Sequence, residues 1–157
     1  MQLTTPRLLL RAPLLCDLDG WAALMADPES ANHLGGVQPR SAAWRSLATM
    51  AGSRSLTGLG WPGTEVGWGL LRQYWGRGYA TEAAAAAIDW AFDTLAWREV
   101  IHVIAPANLA SQAVARRLGS TRRGPTSLPA PLEKFEAEAW GQTREQWRSR
   151  RAQSMQR

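Results

Sequence analysis

The chain has 157 residues and a single cysteine, so it is long enough to bury its own core and cannot form an internal disulfide. Its 18 basic and 13 acidic residues give a formal net charge of +5, and 17 of the basic residues are arginine. No apolar stretch approaches the ~20 residues of a membrane span. One cysteine and two histidines argue against a zinc site. We expect a single cytoplasmic domain over 1–157, with no metal and no membrane partner.

The first part of the chain predicts a strand and two helices. Three leucines over 8–10, between two prolines, predict a short strand. Apolar spacing over 17–26 predicts a helix that Asp17 caps, and a second helix is predicted over 42–50. Residues 51–64 are rich in Gly, Ser, Thr and Pro and contain no apolar run of strand length.

The central part predicts two strands, each followed by a helix. The strands are predicted over 65–71 and 99–105, and the second is apolar almost throughout, which suits a strand covered on both faces. A long helix is predicted over 81–95, and a shorter one over 109–118. This strand–helix–strand–helix order favours the α/β class.

Caps and termini complete the predicted elements. Asn108 is a good N-cap and Gly119 a good residue to follow the shorter helix. A late strand is predicted over 135–140. Thr143 and Gln146 have the spacing of a capping box ahead of a final helix.

The turn over 73–82, QYWGRGYATE, carries the strongest functional signal. Gly76 and Gly78 allow successive backbone amides to point one way at the start of a helix, which favours an anion such as a pyrophosphate. Arg72 and Arg77 add positive charge at the rim. A dinucleotide-binding fingerprint would need a third glycine where residue 81 is threonine, and no Gly-Lys-Ser/Thr ending is present for a P-loop. A glycine-rich turn without a ligand remains the alternative.

A second pair of polar residues follows the next strand. Asn108 and Ser111 open a helix at the carboxyl end of the strand over 99–105, the edge where open α/β sheets bind ligands. Each could instead be an ordinary residue of a helix start. Their position after a strand that follows the glycine turn is what suggests a site.

Taken in order, these motifs resemble the GNAT superfamily of acyl-CoA-dependent N-acetyltransferases. Gln73, Gly76 and Gly78 match the family's Gln/Arg-x-x-Gly-x-Gly/Ala motif, and Asn108 and Ser111 match its Asn-x-x-Ser motif. Leu118 and Gly119 match the Leu-Gly that follows this second motif in the family. The segments that are similar to the branch with the ribosomal-protein N-terminal (alanine/serine) acetyltransferases are 3–8, 75–83 and 140–143.

The resemblance implies a mixed α/β (α+β) fold. Its mostly antiparallel central sheet would contain a splayed parallel strand pair, with helices on both faces. The family's second and third strands do not fit into the 14 residues between Met50 and Glu65, so most of that hairpin is expected to be missing. Either a shortened chain or an omitted segment would explain this.

The resemblance also implies acetyl-CoA as co-substrate, held between the two parallel strands. Backbone groups of the first strand would hold the pantetheine arm, turn amides the pyrophosphate, and Asn108 the pantetheine. The residues expected to hold the cofactor are Trp68, Leu70, Arg72, Gln73, Tyr74, Trp75, Gly76, Arg77, Gly78, Tyr79, Ala80, Thr81, Asn108 and Ser111.

For the chemistry, an acceptor amine would attack the thioester directly in a ternary complex. Glu65 is the favoured base and Ser111 the favoured acid or orienting group for the leaving sulfur. Tyr74 and Tyr79 are reserve acids. His102 lies between apolar residues, which favours a packed histidine over a catalytic one.

The resemblance implies that the acceptor would be a primary amine, on a protein N-terminus or a small molecule, and the fold does not choose between them. The missing hairpin leaves open a non-catalytic CoA-binding module. The positive charge also fits a nucleic-acid binder, but the arginines are scattered and no nucleic-acid motif is present, so no such partner is expected. A homodimer is open.

Overall fold

The computed structural model describes residues 2–52, 60–130 and 132–155. The chain divides into two compact units, which we call the first and the second unit. The first unit comprises Met1–Ser55 and Trp68–Ala83, and the second comprises Leu56–Gly67 and Ala84–Arg157. No helix in the described ranges is long and apolar enough to cross a membrane. The expectation of a single domain stays a prediction.

The first unit contains an antiparallel hairpin and three helices. Leu3 lies opposite Leu10 in the hairpin, which confirms a strand at the predicted place. The core of this unit forms where α1 and α3 bury Leu24, Met25 and Ala43 together. The elements are β1 (Gln2–Thr4), β2 (Leu9–Arg11), α1 (Leu18–Ala26), α2 (Pro28–Ala31) and α3 (Arg40–Gly52).

The second unit is built on a three-stranded antiparallel sheet in the order β3-β5-β4. The first turn of α4 belongs to the first unit and its remainder to the second. Both faces of β3 are largely buried, as its apolar sequence predicts. The elements are α4 (Tyr79–Asp93), β3 (Glu99–Ile104), α5 (Leu109–Leu118), β4 (Thr121–Thr126), β5 (Ala137–Thr143) and α6 (Arg144–Met155).

Three of the predicted helix caps are confirmed and one is wrong. The Asn108 side chain accepts a hydrogen bond from the Ser111 N–H, and Gly119 closes α5 at φ +87°. The Thr143 N–H donates to the Gln146 side chain and the Gln146 N–H to the Thr143 hydroxyl, as a capping box requires. Asp17 does not cap α1, because its own backbone is helical and its carboxylate instead accepts from Arg11 and from the Leu14 N–H.

Two segments differ from the predicted pattern. The strand predicted over 65–71 is reduced to a single parallel bridge between Glu65 and Ile101. Strand β4 is not predicted at all, because its sequence TRRGPT contains Gly and Pro and lacks apolar alternation. Of the shortened stretch, residues 53–59 lie outside the described residues, and 60–64 form a turn and bends without a strand.

Candidate active site

A glycine turn precedes α4 in the first unit. A 3-10 turn over Arg72–Tyr74 leads into Gly76 at φ +72° and Gly78 at φ +79°, and α4 begins at Tyr79. Glycine adopts these left-handed conformations without steric cost. A Cβ placed on Gly76 would meet no atom within 4 Å, so the turn borders open space. Glycines with positive φ next to a helix start are typical of backbone anion sites.

Arg7, from the loop between β1 and β2, holds this turn in place. Its Nη1 donates to the Arg77 carbonyl oxygen at 2.9 Å, and its Nε donates to the Glu82 carboxylate at 2.6 Å. The guanidinium also lies 4.8 Å from the centre of the Tyr79 ring. Arg7 therefore contacts the turn, the first helical residue and the first helical turn of α4.

The Glu82 carboxylate is fully engaged by the same loop. It accepts from the Thr5 hydroxyl at 2.5 Å and from the Arg7 N–H at 3.0 Å. The Thr5 hydroxyl, and after it Arg7, hold the pKa of Glu82 below its usual value. Thr5 and Arg7 lie in the family-like segment 3–8, but no local pattern links them to the turn about 70 residues later.

The remaining predicted turn residues are mostly exposed. Arg72 is not a free rim charge, because its guanidinium lies 3.1 Å from the Glu29 carboxylate, both side chains being more than half exposed. The Trp75 indole N–H donates to the Leu70 carbonyl oxygen at 2.8 Å, and this bond fixes the chain entering the turn. The predicted cofactor residues that share the first unit are Trp68, Leu70, Arg72, Gln73, Tyr74, Trp75, Gly76, Arg77, Gly78, Tyr79, Ala80 and Thr81.

Glu65 lies at the point where the parallel strand pair of the second unit ends. The Ile101 N–H donates to the Thr64 carbonyl oxygen and the Val66 N–H to the Ile101 carbonyl oxygen, as in a parallel ladder. The next rung would join the Val103 N–H to the Val66 carbonyl oxygen. Instead, the Val103 N–H donates to Glu65 Oε1 at 3.0 Å.

The Val66 carbonyl oxygen, which the regular ladder would pair with Val103, is instead bonded by His102. Its Nδ1 lies 2.7 Å from the Val66 carbonyl oxygen, and its Nε2 lies 2.9 Å from the Ser120 hydroxyl. The side chain is 1% exposed. The prediction of a packed histidine is confirmed.

The two side chains have shifted pKa values of opposite sense. Burial raises the pKa of the Glu65 carboxyl. The Val103 N–H acts to lower it, and so does the Trp61 N–H, which lies nearby but outside hydrogen-bond geometry. Burial lowers the pKa of His102 to about 4, so its imidazole is neutral at pH 7. A carboxyl whose pKa lies above its usual value is better matched to proton abstraction near neutral pH than an ordinary one.

Asn108 and Ser111 follow the carboxyl end of β3. Asn108 Oδ1 accepts from the Ser111 N–H at 3.0 Å, and the Asn108 N–H donates to the Ala105 carbonyl oxygen. Because Glu65 is bonded to Val103, one residue before the last of β3, the second unit brings Glu65 and these two residues to the same end of one strand. In the described ranges, no cluster of three or more His, Cys, Asp or Glu could hold a metal ion.

The family comparison identifies the class of protein. A model of the acetyltransferase (GNAT) domain matches residues 7–121, which contain both the glycine turn and the Asn108–Ser111 pair. The chain belongs to this family of acetyltransferases. Among curated proteins it is 40% identical to the uncharacterised Bacillus subtilis (strain 168) protein YkkB over 55 residues, which are 35% of this chain. The matched part spans only 32% of YkkB, about a third of its length.

Solved structures agree in fold. A GNAT-family acetyltransferase from Bacillus anthracis superposes with a TM-score of 0.78 at 21% identity, over 92% of this chain and 99% of that one. The aminoglycoside acetyltransferase AAC(6')-Ib, solved in complex with coenzyme A, gives 0.72 at 16% identity, over 90% and 97%. A Vibrio cholerae protein described as a ribosomal-protein-serine acetyltransferase gives 0.66 at 19% identity, over 91% and 97%. At these identities the likeness concerns the fold.

Proposed function

We propose that this chain is an acyl-CoA-dependent N-acetyltransferase that moves an acetyl group from acetyl-CoA to a primary amine. The observation that carries the proposal is the turn with Gly76 and Gly78 at positive φ directly before α4, in a chain of the GNAT family. Its open space beside Gly76 fits a phosphate that approaches backbone amides closely. The CoA complex of a protein with the same fold adds support.

In this proposal the chain holds the cofactor mainly through its backbone. Amides of 73–80 bind the pyrophosphate, and the exposed Arg77 side chain adds positive charge. Backbone groups near Trp68 and Leu70 and the Asn108 side chain bind the pantetheine arm, as the family motifs suggest. The bound thioester supplies the activated acetyl group.

We assign the proton transfers to Glu65 and Ser111. The acceptor nitrogen bonds to the acetyl carbonyl carbon and the carbon–sulfur bond breaks. Glu65 takes the proton from the amine, directly or through a water, and Ser111 delivers or directs a proton to the leaving sulfur. The raised pKa of the partly buried Glu65 carboxyl supports its role as base.

For the acceptor, we propose a protein N-terminus as the first class to test, with small-molecule amines beside it. The reason is the resemblance of the motifs to the ribosomal-protein branch, to which the Vibrio cholerae neighbour also points. A non-catalytic CoA-binding module is the second candidate, because no strand is present in the described residues between α3 and the Glu65 bridge. Thiol release with any amine would exclude that second candidate.

Thermal unfolding with acetyl-CoA tests the proposal. At a hundredfold excess over its dissociation constant, acetyl-CoA should add about 2.7 kcal/mol to the free energy of unfolding. Gly76→Glu should abolish the stabilisation by filling and charging the turn. Gly36→Glu is the matched control, since Gly36 has φ +82° and equally open space outside the turn. An unchanged melting temperature of the wild type with acetyl-CoA and with CoA would reject the proposal.

A further inference from the structure

We propose that His102 is a positioning residue that sets the place of the Glu65 carboxylate. It does so by binding the Val66 carbonyl oxygen, which leaves the Val103 N–H to Glu65. The role rests on the proposed function, in which Glu65 is the base, but the contacts themselves do not.

The argument begins with the exchange of partners at one rung. In a regular parallel ladder the Val103 N–H and the Val66 carbonyl oxygen would bond each other, because Glu65 is paired with Ile101. Each has a side-chain partner instead: Glu65 for the N–H and His102 for the carbonyl oxygen. A buried backbone group that is left without a hydrogen-bond partner is costly. The hydrogen bond of Glu65 to the Val103 N–H and that of His102 to the Val66 carbonyl oxygen therefore depend on each other. If His102 withdrew its donor, the Val66 carbonyl oxygen would compete for the Val103 N–H.

The hydrogen-bond roles of the imidazole follow from its neighbours. A carbonyl oxygen can only accept, so Nδ1 carries the hydrogen and Nε2 of the neutral ring accepts from the Ser120 hydroxyl. Ser120 in turn accepts from Gln142 Nε2 at 3.0 Å, and that amide also donates to the Leu118 carbonyl oxygen. This network fixes the ring from α5 and β5 and orients its single N–H towards Val66.

Burial and hydrogen bonds, rather than neighbouring charges, set the pKa of Glu65. The groups that act on its carboxyl are the Val103 and Trp61 N–H groups together with burial, and no charged side chain of the described residues is among them. Arg123 of β4 is the charged group that acts on His102. The Arg123 guanidinium is itself paired with Glu99 at 2.7 Å. Loss of the hydrogen bond from the Val103 N–H would therefore raise the pKa of Glu65, and no neighbouring charge would offset the change.

Two substitutions separate the two sides of the ring. In His102→Asn the side-chain amide can replace Nδ1–H and donate to the Val66 carbonyl oxygen, but it loses Ser120. In His102→Gln the amide reaches the position of Nε2 and loses Val66. Each variant removes one hydrogen bond from the same buried site, so each is the stability control for the other.

The measurement is a ¹³C NMR titration of the Glu65 side-chain carboxyl, assigned with Glu65→Gln. We expect His102→Asn to keep the wild-type midpoint and His102→Gln to raise it by about one pH unit, the usual effect of one backbone hydrogen bond on a carboxylate. Equal midpoints in the two variants would overturn the proposal.

The wild type provides a test that does not depend on the folding of any variant. A scalar coupling through the hydrogen bond should join the Val103 ¹⁵N nucleus to the Glu65 carboxyl carbon. A coupling to the Val66 carbonyl carbon instead would refute the partner exchange. Neither measurement uses acetyl-CoA, so a failed acetyl-CoA titration would reject the proposed function and leave this inference standing. With a productive acceptor, the acid limb of kcat/KM should move to higher pH in His102→Gln and not in His102→Asn.

Discussion

The buried histidine makes the stability of the fold depend on pH in a calculable way. His102 is 1% exposed, and burial lowers its pKa from 6.5 to about 4. At pH 7.5, one unit above the ordinary pKa, the side chain is essentially neutral in both the folded and the unfolded chain. As the pH falls towards 4, the unfolded chain binds a proton that the folded chain excludes, so stability is lost in this interval.

The size of the loss follows from the two pKa values. Between pH 7.5 and pH 5 the linkage relation gives a fall of about 2 kcal/mol in the free energy of unfolding. The contribution of Asp17 to the free energy of unfolding is also lost in acid. Because Arg11 holds the pKa of Asp17 at about 2, that loss falls mainly below this pH interval. Glu65 acts in the opposite sense, since its pKa is raised in the folded state and its protonation favours folding as the pH falls.

The assay is urea unfolding at several pH values between 7.5 and 5, followed by tryptophan fluorescence, to which the buried Trp140 and Trp147 contribute. The comparison is with His102→Asn, which cannot titrate and keeps the same contact with Val66. The stability advantage of the wild type over the variant should shrink by about 2 kcal/mol as the pH falls through this interval. Parallel curves would show that the imidazole titrates as it does in the unfolded chain, and would refute the reasoning.

Three further predictions test the site and the sheet. Arg7→Met should weaken acetyl-CoA binding by about 1 kcal/mol, roughly fivefold in Kd. In calorimetry, the binding of acetyl-pantetheine should stay unchanged, because that compound lacks the pyrophosphate. Asn108→Ala should lower the free energy of unfolding in urea by about 1 kcal/mol, because it removes the cap of α5. Asn108→Asp should keep the cap and lose only the amide donor proposed for the pantetheine, so that KM for acetyl-CoA rises. Gly141→Ala should destabilise the fold by about 3 kcal/mol, because its Cβ would lie 2.6 Å from a carbonyl oxygen of β3. Gly20→Ala, which has open space in α1, should stabilise the fold by about 0.5–1 kcal/mol, and equal melting temperatures for the two variants would contradict the packing argument.

Features that depend on a few neighbouring residues could be predicted from the sequence. Helix α5 begins after Asn108 and ends before Gly119 as expected, because an N-cap needs one side-chain oxygen and a left-handed end needs a missing Cβ. The capping box of α6 and the glycine turn before α4 are of the same kind. In each case both partners of the interaction lie within four residues of each other.

Features that depend on distant partners could not be predicted. Strand β4 forms because β5 offers it a hydrogen-bonding edge, despite the Gly and Pro in its sequence. Arg7 holds a turn that lies 70 residues further along the chain. The strand predicted from Glu65 onwards pairs only once, because side chains take the following rung. Nothing in the local pattern of these segments specifies the partner.

The sequence by itself determined the family resemblance, the glycine turn and the helix ends, since these follow from residue type and short spacing. Only the tertiary structure decided which side chains control the turn and the strand pair. Burial turned His102 from an ordinary titratable residue into a neutral donor, and turned Glu65 from a strand-end acid into a carboxyl bonded to a backbone amide. Desolvation and long-range hydrogen bonds exist only after folding, which is why those two assignments required the folded chain.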